Sequence, residues 1–184
     1  MKATNPFAEI NYGTLHNTTP FDRISLEDYE AAMMEGMRQE EEAINKIIED
    51  TDEPSFENVI LPETDWQLSR ATTVFFNLTS AHTNDDMDEL AQKITPQLTA
   101  HTNRITLNEK LFRKIKYVYE HQDGLDAQQK RLTEKVYSGF ERNGANLSGE
   151  DKKEFARITT ELSTLTLDFS QKLLKEINAF KLNV

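Results

Sequence analysis

Residues 148–176, SGEDKKEFARITTELSTLTLDFSQKLLKE, decide the fold class. Within them Phe155, Ile158, Leu162, Leu165, Phe169 and Leu173 step by three and four positions. That spacing gathers side chains on one side of an α-helix. Ser148, with Asp151 three residues on, reads as the helix cap. A helix reaching Glu176 has about 28 residues and spans roughly 40 Å at 1.5 Å per residue. So long a stripe predicts a central packing element, with Leu162 buried in it.

The same spacing recurs upstream. Ser25 caps a first helix, with Asp28 completing a capping-box variant and Ile24 and Tyr29 placed for a hydrophobic staple. Its stripe is Tyr29, Met33, Met37, Ile44, Ile47 and Ile48, and Thr51-Asp52-Glu53-Pro54 ends it. Ser55 caps a second helix that Phe56, Val59 and Ile60 open. Pro62 kinks or breaks it, and it resumes from Glu63 to about Ala81, with Trp66, Thr73, Phe76 and Leu78 on one side. Val74-Phe75-Phe76 is too continuous for a one-sided helix and predicts contact on two faces, one of them a docking face; the alternative is that these aromatics fill an ordinary core between neighbouring helices. A third helix starts at Asn84 and continues through Met87, Leu90, Ala91, Ile94, Leu98 and Ile105, with a bend expected at Pro96. A fourth starts at Asn108, with Leu111, Phe112, Ile115, Val118 and Tyr119 as its stripe. A fifth starts at Asp126, boxed by Gln129, with Leu132, Val136 and Phe140 inward and Asn143-Gly144 as its stop.

Six helices joined by short loops predict an all-α, antiparallel multi-helix bundle over residues 25–184. Residues 1–24 lack helical periodicity and read as an extended arm packing on the bundle. Phe7, Tyr12 and Phe21 are its expected anchors.

Composition narrows the function. The chain has 184 residues, 29% of them charged, and a net charge of −11. An acidic surface repels phosphate backbones, which argues against a nucleic-acid partner. There is no cysteine, which excludes disulfides, thiol catalysis and cysteine-held metal. No window approaches the ~20 apolar residues of a membrane span, and Met1 to Pro6 open on no leader peptide. A cytoplasmic protein is expected.

Sites are scarce. His16, His82, His101 and His121 are never three or four residues apart, so no His-Glu-x-x-His zinc pair exists. Each reads as a surface or capping residue. Glu57 and Glu63 have nothing beside them that marks a general base. No Gly-rich phosphate loop and no Gly-x-Ser-x-Gly elbow occurs. The residues name no catalytic and no metal-binding position, and leave any substrate-binding position unknown.

Seven collinear stretches nonetheless resemble one family. They are Asn5-Pro6-Phe7, Pro20-Phe21-Asp22-Arg23-Ile24, Pro54-Ser55-Phe56-Glu57-Asn58-Val59-Ile60 and the run from Val74 to Asn84. Leu107 to Phe112, Gly139 to Leu147 and Asn178-Ala179-Phe180-Lys181-Leu182 complete the set. In order and over the whole chain, they resemble the N-terminal region of zinc metallopeptidases of the thimet-oligopeptidase family. They stand nearer to its bacterial peptidyl-dipeptidases than to oligopeptidase A. The resemblance implies a two-lobed helical enzyme acting on short peptides, with one zinc ion held downstream by a His-Glu-x-x-His helix and a further Glu. None of that is in this chain, so no catalytic or metal residue carries over.

What the resemblance does imply is a lobe that forms one wall of the peptide channel, restricts substrates to short peptides and is inactive by itself. The chain is expected to be truncated before the catalytic domain, its partner in cis, and the docking face at Val74-Phe75-Phe76 is expected to meet that missing catalytic lobe. The alternative is a free-standing helical interaction module.

Overall fold

The computed structural model describes residues 5–62 and 64–181. Every regular element among them is helical: α1 (Leu26–Glu49), α2 (Trp66–Ala81), α3 (Asp85–Thr106), α4 (Glu109–Glu120), α5 (Ala127–Arg142) and α6 (Gly149–Ala179). A single π-helical turn, Phe56–Ile60, lies between α1 and α2. Three short 3-10 turns punctuate the arm.

The helix starts follow from local hydrogen bonds. The Ser25 hydroxyl accepts the Asp28 amide while the Asp28 carboxylate accepts the Ser25 amide, a reciprocal box. Ser55 with Asn58 and Asp126 with Gln129 repeat it. The Asn84 side chain accepts the Met87 amide, and Asn108 accepts those of Lys110 and Leu111. Each device satisfies backbone donors that the first helical turn leaves free. α6 differs. Gly149 opens it at φ 56, outside the helical region, and Ser148 makes no side-chain cap bond.

α1 is the spine. Its N-terminal half packs antiparallel to α2, with Tyr29 against Phe75 at 5.4 Å between ring centres. Gly36 meets Leu68 so closely that a Cβ there would lie 2.9 Å from the Leu68 backbone. α3 runs parallel to α1, as Glu30–Lys93 (2.5 Å) and Glu40–His101 (2.7 Å) fix the register. Around this triangle lies the first core, with Phe7, Met33, Ala71, Phe75, Ala91 and Ile94 fully enclosed. A second core gathers Ile44 and Ile47 from α1, Phe56, Val59 and Ile60, and Leu111, Ile115 and Val118 of α4. α5 closes it by stacking Tyr137 and Phe140 on Phe112. Burying each such side chain contributes about 1.5–3 kcal/mol, so the α1 stripe serves both cores.

Several expectations are corrected. The second helix does not resume until Trp66, and Glu63 lies outside the described residues. Pro62 cannot donate to a continuing ladder, so the chain breaks there rather than kinking. The inward face of α2 is Gln67, Leu68, Ala71 and Phe75, and Thr73 is exposed. Val74-Phe75-Phe76 is core: Phe75 is fully enclosed, and Val74 and Phe76 pack on the same cluster. Pro96 sits inside an unbroken α3. On α5 the buried residue is Thr133, while Leu132 is exposed. Of the arm's aromatics Phe7 is enclosed, Tyr12 packs on the first core under the Arg70 guanidinium, and Phe21 is exposed.

The largest correction is α6. It lies along α3, antiparallel, through Asn103–Thr159 and Gln92–Gln171, and near its start Lys152 pairs with Glu109 of α4 at 2.8 Å. Its packed side carries Ala156, Thr159, Ser163 and Leu167, and none of its residues is fully buried. The stripe that predicted a central helix faces solvent, and Leu162 is 59% exposed.

Candidate functional site

A groove runs where α6 leaves α2 and α3. Its cavity measures about 720 Å³, within the range of small-molecule sites. α2 contributes Phe76 and Thr79, α3 contributes Thr95 and Leu98, and α6 contributes Leu162 and Thr166. The wall is apolar with many hydroxyls. Most of these are turned onto their own helices: Thr79 and Ser80 donate to the Phe76 carbonyl, Thr99 to Thr95, Ser163 to Thr160. The Thr95 hydroxyl is buried and has no partner.

One end is polar. Gln171 of α6 donates to the Asp88 carbonyl (3.1 Å) and accepts from Gln92 (2.9 Å), tying α6 to the start of α3. Among the described residues Asp88 is the only carboxylate lining the groove, and its side chain accepts the Thr83 hydroxyl at 2.6 Å. Among the described residues that line the groove there is no histidine and no lysine. The pairing of nucleophile and base that covalent catalysis needs is therefore not assembled here. The groove can hold an extended apolar or weakly polar chain by shape.

The histidines are placed individually. His82 and His121 occupy the C-terminal caps of α2 and α4, with His121 Nδ1 2.8 Å from the Tyr117 carbonyl. His16 is exposed in the arm at φ 55. His101 departs from the surface reading: its side chain is 2% exposed, its Nε2 is 2.7 Å from Glu40, and its Nδ1 faces Arg104 at 3.4 Å. Arg104 has only donors, so Nδ1 accepts and Nε2 carries the proton given to Glu40. This pair pins α1 to α3 and opens onto no groove carboxylate. Glu57 is exposed on the π-helical turn. Among the described residues no three His, Cys, Asp or Glu side chains gather as metal ligands. The zinc ion implied by the resemblance does not fit the residues described here.

Burial raises the Tyr29 phenol in the first core, while most other displaced titrating groups lie on the surface. Arg38 hydrogen-bonds Glu35 and holds its carboxyl down at about 2. Tyr137 donates to Glu141 and is pushed up to about 12. Neither lines the groove.

Comparison with known proteins supplies what the groove does not. The chain is 36% identical over 179 residues to dipeptidyl carboxypeptidase of Escherichia coli strain K12, covering 95% of this chain and 26% of that protein. It is 37% identical over 177 residues to dipeptidyl carboxypeptidase of Salmonella typhimurium, covering 94% and 26%. The chain is homologous to the thimet-oligopeptidase family. Oligopeptidase A of Escherichia coli is also similar, 23% identical over 159 residues, which is 84% of this chain. No family model matches the chain. The chain spans about a quarter of the length of the relatives it matches. No helix among the described residues is long and apolar enough to cross a membrane.

The stretch that this chain shares with dipeptidyl carboxypeptidase is 26% of that protein, so the shared residues need not include a catalytic constellation. What sequence reading missed is the groove itself, because its wall is made of threonines and serines with no motif to mark them. The signal present was the small-residue side of α6: Ala156, Thr159, Ser163 and Gln171 recur at helical spacing opposite the apolar stripe.

Proposed function

We propose that this chain is the non-catalytic helical lobe of a zinc-dependent peptidase of the dipeptidyl carboxypeptidase kind. The observation that carries the reading is the collinear 36% identity along 95% of the chain. In this reading the chain contributes no catalytic and no metal-binding residue. The zinc ion, which supplies Lewis-acid activation of water when bound, is held by residues outside these 184.

The lobe's part is steric. It forms one wall of a channel and admits short, unfolded peptides while excluding folded ones. Rigid helices suit that task, since a wall of packed helices offers no open sheet edge for a peptide to pair with. The groove between α2, α3 and α6 supports this role, with an apolar, hydroxyl-bearing wall that presents few charges. In a longer polypeptide of the relatives' kind, the open side of α6 is the natural surface for the next part of the chain. The working compartment in this reading is the cytoplasm, and the substrates are short peptides.

Two measurements test the proposal. Incubated with zinc and a short peptide, the 184-residue chain should release no dipeptide above a blank. The coding sequence beyond Val184 should also specify a His-Glu-x-x-His several hundred residues later. A stop codon at that point would favour a free-standing interaction module, and dipeptide release by the chain alone would refute the non-catalytic role.

A further inference from the structure

Asn143-Gly144 is the one Asn-Gly pair in the sequence. It stops α5 and turns the chain towards α6. The glycine is required there twice over. Its φ is +84, in the left-handed region where a side chain is strained. A Cβ on it would also lie 3.0 Å from Leu147 and 3.2 Å from Phe155. The fold therefore holds an asparagine next to a residue with no side chain to shield the following amide.

Such a pair is labile. The Gly144 amide nitrogen, after giving its proton to hydroxide, attacks the Cγ carbonyl carbon of Asn143. The new N–Cγ bond closes a five-membered succinimide. The Cγ–Nδ2 bond breaks, and Nδ2 leaves as ammonia, taking a proton from water and returning the hydroxide. Water then opens the ring. Cleavage at Cγ leaves aspartate at position 143. Cleavage at the backbone carbonyl leaves isoaspartate, with the main chain routed through the side chain. The sequence consumes one water, releases one ammonia and needs no oxidant.

The folded corner opposes the first step. The Gly144 N–H donates to the Glu141 carbonyl at 3.1 Å, and the Ala145 N–H to the Phe140 carbonyl at 3.0 Å. These are the paired bonds of a Schellman motif. The Asn143 carboxamide donates to the Gly139 carbonyl at 2.8 Å. The attacking nitrogen and the group it must attack are thus tied to different carbonyls of the last turn of α5. The Glu141 carboxylate tightens the same turn, accepting from Tyr137 at 2.8 Å and from Asn146 at 3.0 Å. Ala145 is buried beneath it.

We propose that Asn143 is a site of spontaneous deamidation that the corner between α5 and α6 holds in check, so that the modification marks chains whose corner has opened. The products loosen the corner further. An aspartate carboxylate cannot donate to the Gly139 carbonyl. It also sets a negative charge at the C-terminal end of α5, where the helix dipole opposes it. Isoaspartate lengthens the main chain by one methylene and draws the Gly144 and Ala145 amides off their acceptors. All the hydrogen bonds involved lie within residues 137–146. The site therefore does not depend on the peptidase-lobe reading, or on what surrounds this chain in a longer polypeptide.

The test incubates the 184-residue chain in mildly alkaline buffer, folded or in guanidinium chloride. Peptide mass mapping follows residue 143 and separates the aspartate and isoaspartate forms. In the unfolded chain Asn143 should convert before any other asparagine. In the folded chain it should convert at least about tenfold more slowly, the protection that a closed local unit confers. Glu141→Ala should raise the folded-state rate about threefold by easing local opening, with circular dichroism and the unfolded-state rate unchanged. Asn143→Asp, which reproduces one product, should lower the thermal midpoint by about 2–4 °C.

Equal rates in the folded and unfolded chains would overturn the proposal. So would earlier conversion of another asparagine in the unfolded chain, or a Glu141→Ala rate no different from the parent's. An unaltered midpoint in Asn143→Asp would overturn the loosening of the corner by its products.

Discussion

α1 and α6 are the two longest helices, and both carry an apolar stripe stepping by threes and fours. In α1 the stripe is enclosed: Met33 is fully buried, and Tyr29, Met37, Ile44 and Ile47 are nearly so. In α6 the stripe is open, with Phe169 67% exposed. The difference teaches that amphipathic periodicity reports a need for a partner, not the partner's address. α1 finds partners on both sides, in α2, α3 and α4. α6 satisfies α3 with its small and hydroxylated side, leaving its leucines for a surface beyond the bundle.

The sharpest way to break this comparison is to truncate the enclosed stripe. Met33→Ala or Phe75→Ala removes a fully buried side chain from the first core. Each should cost about 2–5 kcal/mol. Urea melts showing less than about 1 kcal/mol for both would mean the α1–α2 contact is looser than described.

Next in size is the close approach of α1 and α2. A Cβ at Gly36 would lie 2.9 Å from the Leu68 backbone, which cannot swing aside as a side-chain tip can. Gly36→Val should cost about 1–3 kcal/mol by overpacking, despite valine's better backbone entropy. A stabilised variant in thermal melts would show that the helices separate freely.

A smaller effect separates the two helix starts. Ser25→Ala removes a reciprocal cap and should cost about 1 kcal/mol. Ser148→Ala removes no cap bond and should be nearly silent. Equal losses would show that Ser148 caps α6 in solution.

These cases also mark what was legible in the sequence. Helix starts were legible because caps are local: Ser25 with Asp28, Asn84, Asn108, and Asp126 with Gln129 need only four or five consecutive residues. The all-helical class followed from the same short-range patterns. Inward faces were less legible. Leu132 and Thr133 are neighbours, and only the position of α4 decides that the threonine goes in. His101 looked like a surface residue because its partner Glu40 is 61 positions away. The groove was illegible, since its wall forms where three helices diverge and its hydroxyls bond to their own backbones. The resemblance was legible through seven ordered stretches of residues, and 36% identity to dipeptidyl carboxypeptidase along 95% of the chain agrees with it.

The most direct test of the contrast between α1 and α6 is the unfolding free energy of Leu162→Asp, measured at the lowest workable protein concentration. Placing a charge on a solvent-facing position should change stability by no more than about 0.5 kcal/mol. A loss above about 2 kcal/mol in the dilute chain would mean that the α6 stripe is buried within the bundle, as the spacing alone first suggests, and would contradict the open stripe.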